Sequence, residues 1–235
     1  MKAKANLFRT LLVLPVLLVA VAVALFGLGI RSAQTQTTTS ASTTTSYKVQ
    51  DLGTLGGSRS FASALNDSGQ VVGYSYTAGD QNWRAFLYDS TNGMIDLGTL
   101  GGSYSSASGI NKSGQVVGYS YNSSGEGRPF LYDSTNGMKD LNDLIPADSG
   151  WSITEAAAIN TDGKIAASGY GNTPPDPSVC PDSWTAYEAA FVLTPTTTAN
   201  YAVQDLGTLG SYYSHAMGIN KPGQVVGYSY SDICL

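Results

Sequence analysis

Charged residues make up only 12% of this 235-residue chain, about half the ~25% usual for soluble proteins, while Gly (27) and Tyr (15) are abundant. After Arg31 the chain holds 8 basic and 17 acidic residues, a net of −9. That sign is wrong for phosphate, which excludes nucleic acid and anionic lipid as natural partners of this part. Two Cys and one His leave almost no material for a metal cage.

Lys2, Lys4 and Arg9 precede Leu11–Ile30, twenty residues without a charge. As a helix, that run would span ~30 Å, about a bilayer core. Small residues at Ala20, Ala22 and Ala24 suit a cleavage site, whereas the length of the run suits an anchor. Residues 1–31 therefore read as a signal peptide or an N-terminal membrane anchor, and either one directs the rest outward. Ser32–Ser46 has eleven Ser or Thr in fifteen residues and no charge, and reads as an exposed linker.

Residues 47–235 are organised by repetition. DLGTLGG occurs at Asp51–Gly57 and Asp96–Gly102, DLGTLG at Asp205–Gly210, and a degenerate DLNDL at Asp140–Leu144. GQVVGYSY is identical at Gly69–Tyr76, Gly114–Tyr121 and Gly223–Tyr230, with GKIAASGY at Gly163–Tyr170 as a weaker relative. Asn66, Asn111, Asn160 and Asn220 each stand three residues before the Gly that opens those segments. The first two units repeat at 45 residues, and the third is stretched by an insertion around Gly171–Tyr187. A period of this size signals stacked supersecondary units.

Each unit predicts four strands. In the first, one strand ends at Ala64-Leu65 and Asn66-Asp67-Ser68-Gly69 makes a type I turn with Gly in the left-handed region. Gln70–Tyr76 follows, with Val72, Tyr74 and Tyr76 on one face and Val71, Gly73 and Ser75 on the other. Such a strand suits a place between two layers. Arg84–Tyr88 and Met94–Leu97 complete the unit, separated by the turn Asp89–Gly93. Four strands in ~45 residues is the size of a propeller blade, and no segment after residue 46 sustains a helical period. The expectation is an all-β, propeller-like array of units at about 58–98, 103–142, 151–207 and a partial 210–235. Tyr47–Gly53 matches Tyr201–Gly207, so the array begins in a fourth strand and its last unit stops after a second.

The sequence DLGTLGG, then I-N-x-x-G-Q-V-V-G, then A-F-L-Y, in this order and spacing, resembles the HAF-type extracellular repeat family of bacterial proteins. The resemblance covers about residues 47–235 and implies an exported, propeller-like protein without implying an activity. The family's His-Ala-Phe tripeptide departs here: the His position is Arg84 in the first unit and Arg128 in the second, which removes support for a role of that His. Asp140–Asn160 with Ala190–Pro195 looks like the repeat that often closes such arrays.

The chemical alternatives are thin. A hydrolase triad needs a His base, and His215, the only His, stands where other units have Phe61 and Ser106. Asp51, Asp96, Asp140 and Asp205 recur once per unit, which suits turn acceptors better than an active-site pair. Asn66–Gly69 offers too few oxygens for calcium, and LGTLGG lacks the Lys and Ser/Thr of a phosphate loop. The repeated tyrosines read mainly as packing. The unrepeated insertion, with Trp184 and Tyr187, is the candidate binding loop. Cys180 and Cys234 are the candidate disulfide in an oxidising compartment.

The reading is an exported, non-enzymatic surface module for an unknown protein or polysaccharide, extracellular or at the cell surface, with no catalytic, cofactor or metal residues. It contacts membrane only through the N-terminal segment, and its C-terminal edge invites self-association. The rival is a propeller-type glycan-degrading enzyme using paired carboxylates.

Overall fold

The computed structural model describes residues 46–171, 187–197, 200–211 and 213–230. The expected N-terminal apolar helix lies outside the described residues, as do all but the last residue of the linker. Val49–Leu235 forms one compact unit. Among the described residues, no helix is long and apolar enough to cross a membrane.

Among the described residues the unit is all-β, built from four consecutive antiparallel sheets with no closed barrel. Sheet A is β1 (Gly56–Leu65), β2 (Val71–Thr77), β3 (Trp83–Asp89) and β4 (Gly93–Asp96). Sheet B is β5 (Gly101–Ile110), β6 (Val116–Asn122), β7 (Gly127–Asp133) and β8 (Gly137–Asp140). Sheet C is β9 (Trp151–Ile159), β10 (Ile165–Gly171), β11 (Tyr187–Pro195) and β12 (Tyr201–Asp205). Sheet D is β13 (Ser214–Ile219) paired with β14 (Val225–Ser229). Strands lie in chain order within every sheet, so each is a meander of hairpins. Tyr201–Asp205 does finish the third sheet, pairing with β11.

The first hairpin of each sheet turns as its sequence requires. The amide of the fourth turn residue donates to the Asn carbonyl at 3.0 Å in Gly69→Asn66, with the same bond at Asn111, Asn160 and Asn220. Each such Gly has positive φ, between 76° and 92°, which a Cβ would strain. Further along the hairpin β1 bulges between Ala62 and Ala64, bringing the Phe61 carbonyl close to Gly73. A Cβ on Gly73 would lie 1.9 Å from that oxygen, and on Gly118 2.1 Å from the Ser106 oxygen. The Gly in GQVVGYSY therefore answers to the bulge.

Consecutive sheets pack face to face through the first strand of each: β5 lies on β2 and β3, β9 on β6 and β7, and β13 on β10 and β11. Val72 and Ala107 share one buried cluster across the first of these contacts. Val117 shares another with Ala156, and Ala166 a third with Ala216. Phe86, Phe130 and Phe191, the Phe of each AFLY-like strand, are fully buried. Each such burial contributes about 1.5–3 kcal/mol, so the core is a series of layers.

Polar ties repeat with the layers. The Asn66 side-chain amide donates to the Asn111 carbonyl (3.0 Å), Asn111 to Asn160 (3.2 Å) and Asn160 to Asn220 (3.0 Å). Each of these three asparagines is buried, and its Oδ1 accepts from its own turn. Buried amides are thus satisfied, as they must be, while locking neighbouring turns together. The degenerate DLNDL does something different. It forms a 3-10 turn at Leu141–Leu144, and Asn142 holds both the amide (2.7 Å) and the carbonyl (2.9 Å) of Ile153. Asn in place of Gly lets sheet B clamp the first strand of sheet C.

Candidate functional site

On the described surface a row of rings crosses from sheet A to sheet B. Tyr74 and Tyr76 alternate along β2, and Tyr119 and Tyr121 along β6, so each pair projects from one face of its strand. Phe61 stacks on Tyr74 (centroids 4.9 Å, planes at 21°), and Tyr76 lies 6.0 Å from Trp83. Trp83 reaches Tyr104 of the next sheet at 4.0 Å, and Tyr104 meets Tyr121 edge-on at 5.8 Å. Tyr121 meets Tyr119 at 5.4 Å. The Arg59 guanidinium sits 4.8 Å over the Tyr76 ring. The rings are half-buried or exposed, with Phe61 at 44% and Tyr119 at 37%. Burial and a hydrogen bond with Tyr121 push the Tyr119 phenol above its usual range.

The repeated tyrosines, expected mainly as packing, form the row together with aromatics that lie outside the insertion, the expected binding loop. Its members outside the GQVVGYSY segments, Phe61, Trp83 and Tyr104, stand where the neighbouring unit carries Ser106, Gly127 and Arg59. An aromatic that breaks the repeat beside tyrosines that keep it was the available signal.

A second grouping lies where sheets C and D meet. His215 Nε2 is 2.8 Å from Glu155 Oε2, and the His215 ring stacks on Tyr228 at 5.4 Å and 19°. His215 Nδ1 is buried without a partner. Burial raises the Glu188 carboxyl above its ordinary range; the His215 charge opposes this, and Glu155 adds to it. His215 also lines a cavity of about 420 Å³ with Ala190, Leu206, Leu209 and Tyr228. The four turns meet at a smaller cavity of about 210 Å³, walled by Leu65, Ile110, Ile159 and Ile219 with Asp67, Lys112 and Lys221 at its polar side. That is below the ~300–1,000 Å³ of ordinary small-molecule pockets.

The recurring aspartates act locally. Asp51 accepts from the Gly53 amide, Asp96 from Gly98, Asp140 from Asn142 and Asp205 from Gly207. Asp140 also pairs with Arg128 at 2.6 Å. Among the described residues, no three His, Cys, Asp or Glu side chains gather as a metal site would need. Cys180, Trp184 and Cys234 lie outside the described residues. Tyr187 opens β11, and its side chain is likewise outside them.

Residues 58–177, just over half of the chain, match a family described as a protein of unknown function, DUF3466, and the chain belongs to that family. The match runs from β1 through β10 and so takes in both sheets that carry the aromatic row. The chain has no match among curated proteins or among solved structures.

Proposed function

We propose that this is an exported, non-enzymatic binding module at the cell surface, its stacked sheets forming a propeller-like arc that displays the aromatic row to a polysaccharide or protein. The observation that carries the reading is the Trp83–Tyr104 ring pair at 4.0 Å, joining two sheets in one surface. Tyr and Trp give flat apolar area with a polar edge, which suits a ligand with C–H faces and hydroxyl rims. Export rests on the basic and then apolar N-terminal segment, and on the resemblance to HAF-type extracellular repeats. The test is retention of the full chain on a panel of immobilised polysaccharides and surface proteins. Trp83→Ala and Tyr104→Ala should each lower retention by tenfold or more; unchanged retention in both sinks the reading.

A second reading, a glycan-degrading enzyme, draws on Glu155 and Glu188 beside His215. A carboxyl raised by burial near another carboxylate is the pattern of an acid–base pair. Release of reducing sugar by the wild type, abolished in Glu188→Gln, would favour it over the first.

A further inference from the structure

The two ends of the stack carry the two halves of an interface the chain already uses three times. On the leading face of each later sheet, Ser105, Ala107 and Ile110 are buried in β5, Ala156 and Ile159 in β9, and Ser214 and Ala216 in β13. Their counterparts in β1 are Ser60, Ala62 and Leu65. There Ala62 is exposed and Leu65 is 71% exposed, against 8% for Ile110. On the trailing face, Val72, Val117 and Ala166 are fully buried against the next sheet, whereas Val226 at the same place in β14 is 67% exposed.

The asparagine ties end in the same way. Asn66, Asn111 and Asn160 each donate to the carbonyl of the next turn, but Asn220 donates to Gln224 Oε1 (2.7 Å) and has no next carbonyl among the described residues. At the other end, the Asn66 carbonyl accepts from Gly69 in its own turn and, among the described residues, receives no side-chain amide.

We propose that the chain associates head to tail with a second copy of itself, with the β1 face at Ala62 and Leu65 seated on the β14 face at Val226. The Asn220 amide then donates to the Asn66 carbonyl of that copy. The occupant is a second copy because the contact continues the internal one: an Ala shares a buried cluster with the Val or Ala of the preceding sheet for Val72 and Ala107, Val117 and Ala156, and Ala166 and Ala216. The next pair in that series is Val226 with Ala62. Such a contact is heterologous, each copy keeping one face free, so it builds closed rings or open chains. Among the described residues sheet D has two strands, so the contact through them is narrower than the internal ones. The expected mass rises with protein concentration.

The experiment is light scattering on the full chain in a nonionic detergent, with Ala62→Asp and Val226→Asp made separately. Both sites are exposed, so neither change removes a buried contact; Leu65→Lys and Val226→Lys form a second pair if either aspartate variant fails to fold. The wild type should exceed monomer mass, and each variant alone should stay monomeric at the same concentration. An equimolar mixture should form dimers and stop there, because each variant contributes one intact face. A wild type that stays monomeric overturns the proposal. So does association that survives both variants, which would place it in the N-terminal apolar segment or at the β14 edge. A mixture that stays monomeric overturns it as well.

Discussion

Sheets B and D carry the same eight residues, GQVVGYSY, and put them in different surroundings. Val117 in β6 is fully buried between its own sheet and sheet C, while Val226 in β14 is 67% exposed. Tyr119 is 37% exposed and Tyr228 46%, so the tyrosines differ far less than the valines. In this scaffold the tyrosine end of the strand faces the surface even in mid-stack. The valine end is buried only if another sheet follows. Identical local sequence thus fixes the hairpin, and the neighbour fixes how much each side chain contributes to stability.

The largest difference between sheets B and D is expected at the bulge. Gly118→Ala drives a Cβ to 2.1 Å from the Ser106 oxygen and 2.9 Å from Phe130, within a four-stranded sheet packed on both sides. We expect about 3 kcal/mol of destabilisation or more in denaturant titration. Gly227→Ala meets the same clash at 1.9 Å, but in a two-stranded end sheet that can shift, and should cost clearly less. Equal losses would mean that sheet D is held as firmly as sheet B.

The asparagine ladder comes next. Asn111→Asp replaces a buried donor with a charge facing Gln115 Oε1 and the Asn160 carbonyl, and should cost about 2–3 kcal/mol. Asn220→Asp, at an exposed turn, should change stability by no more than about 0.5 kcal/mol. For the valines, Val117→Ala should cost about 2 kcal/mol, while Val226→Ala should stay within about 0.5 kcal/mol. Dilute protein is needed for that last measurement, so that association does not cover Val226.

The smallest effect concerns pH. Burial holds Glu188 above its ordinary value, so the folded state keeps that proton more tightly than the unfolded chain does. Folding is therefore favoured by this group at low pH, and the advantage is lost as pH rises through the raised folded value. Glu188→Gln should lift the Tm near pH 7 by no more than about 2 °C and give no gain below about pH 4. A Tm difference that is constant across this range would show that the carboxyl titrates alike in both states.

Much of the fold was legible because its determinants are local. Asn66 to Gly69 encode a turn whose Gly needs positive φ, and alternation along Gln70–Tyr76 sets two faces wherever the strand lies. The candidate site was only half legible. The tyrosines were visible as repeats, but their union with Phe61, Trp83 and Tyr104 depends on Trp83 and Tyr104 meeting across two sheets. His215 stands at a position that varies between Phe61 and Ser106, and the sequence does not show its partner Glu155, sixty positions away on another sheet. DLNDL read as a weak copy of a repeat, and only its contact with Ile153 gives the Asn its use.

By itself the sequence determined the all-β class, the four units, the hairpin turns and the two faces of each strand. Those follow from short-range sterics and a two-residue period that tertiary context does not alter. Tertiary structure decided which of the identical valines is core, which asparagine amides are satisfied, and which aromatics form one surface. Each of those depends on what the next sheet brings to the face, and burial is a property of the pair of surfaces, never of one strand alone.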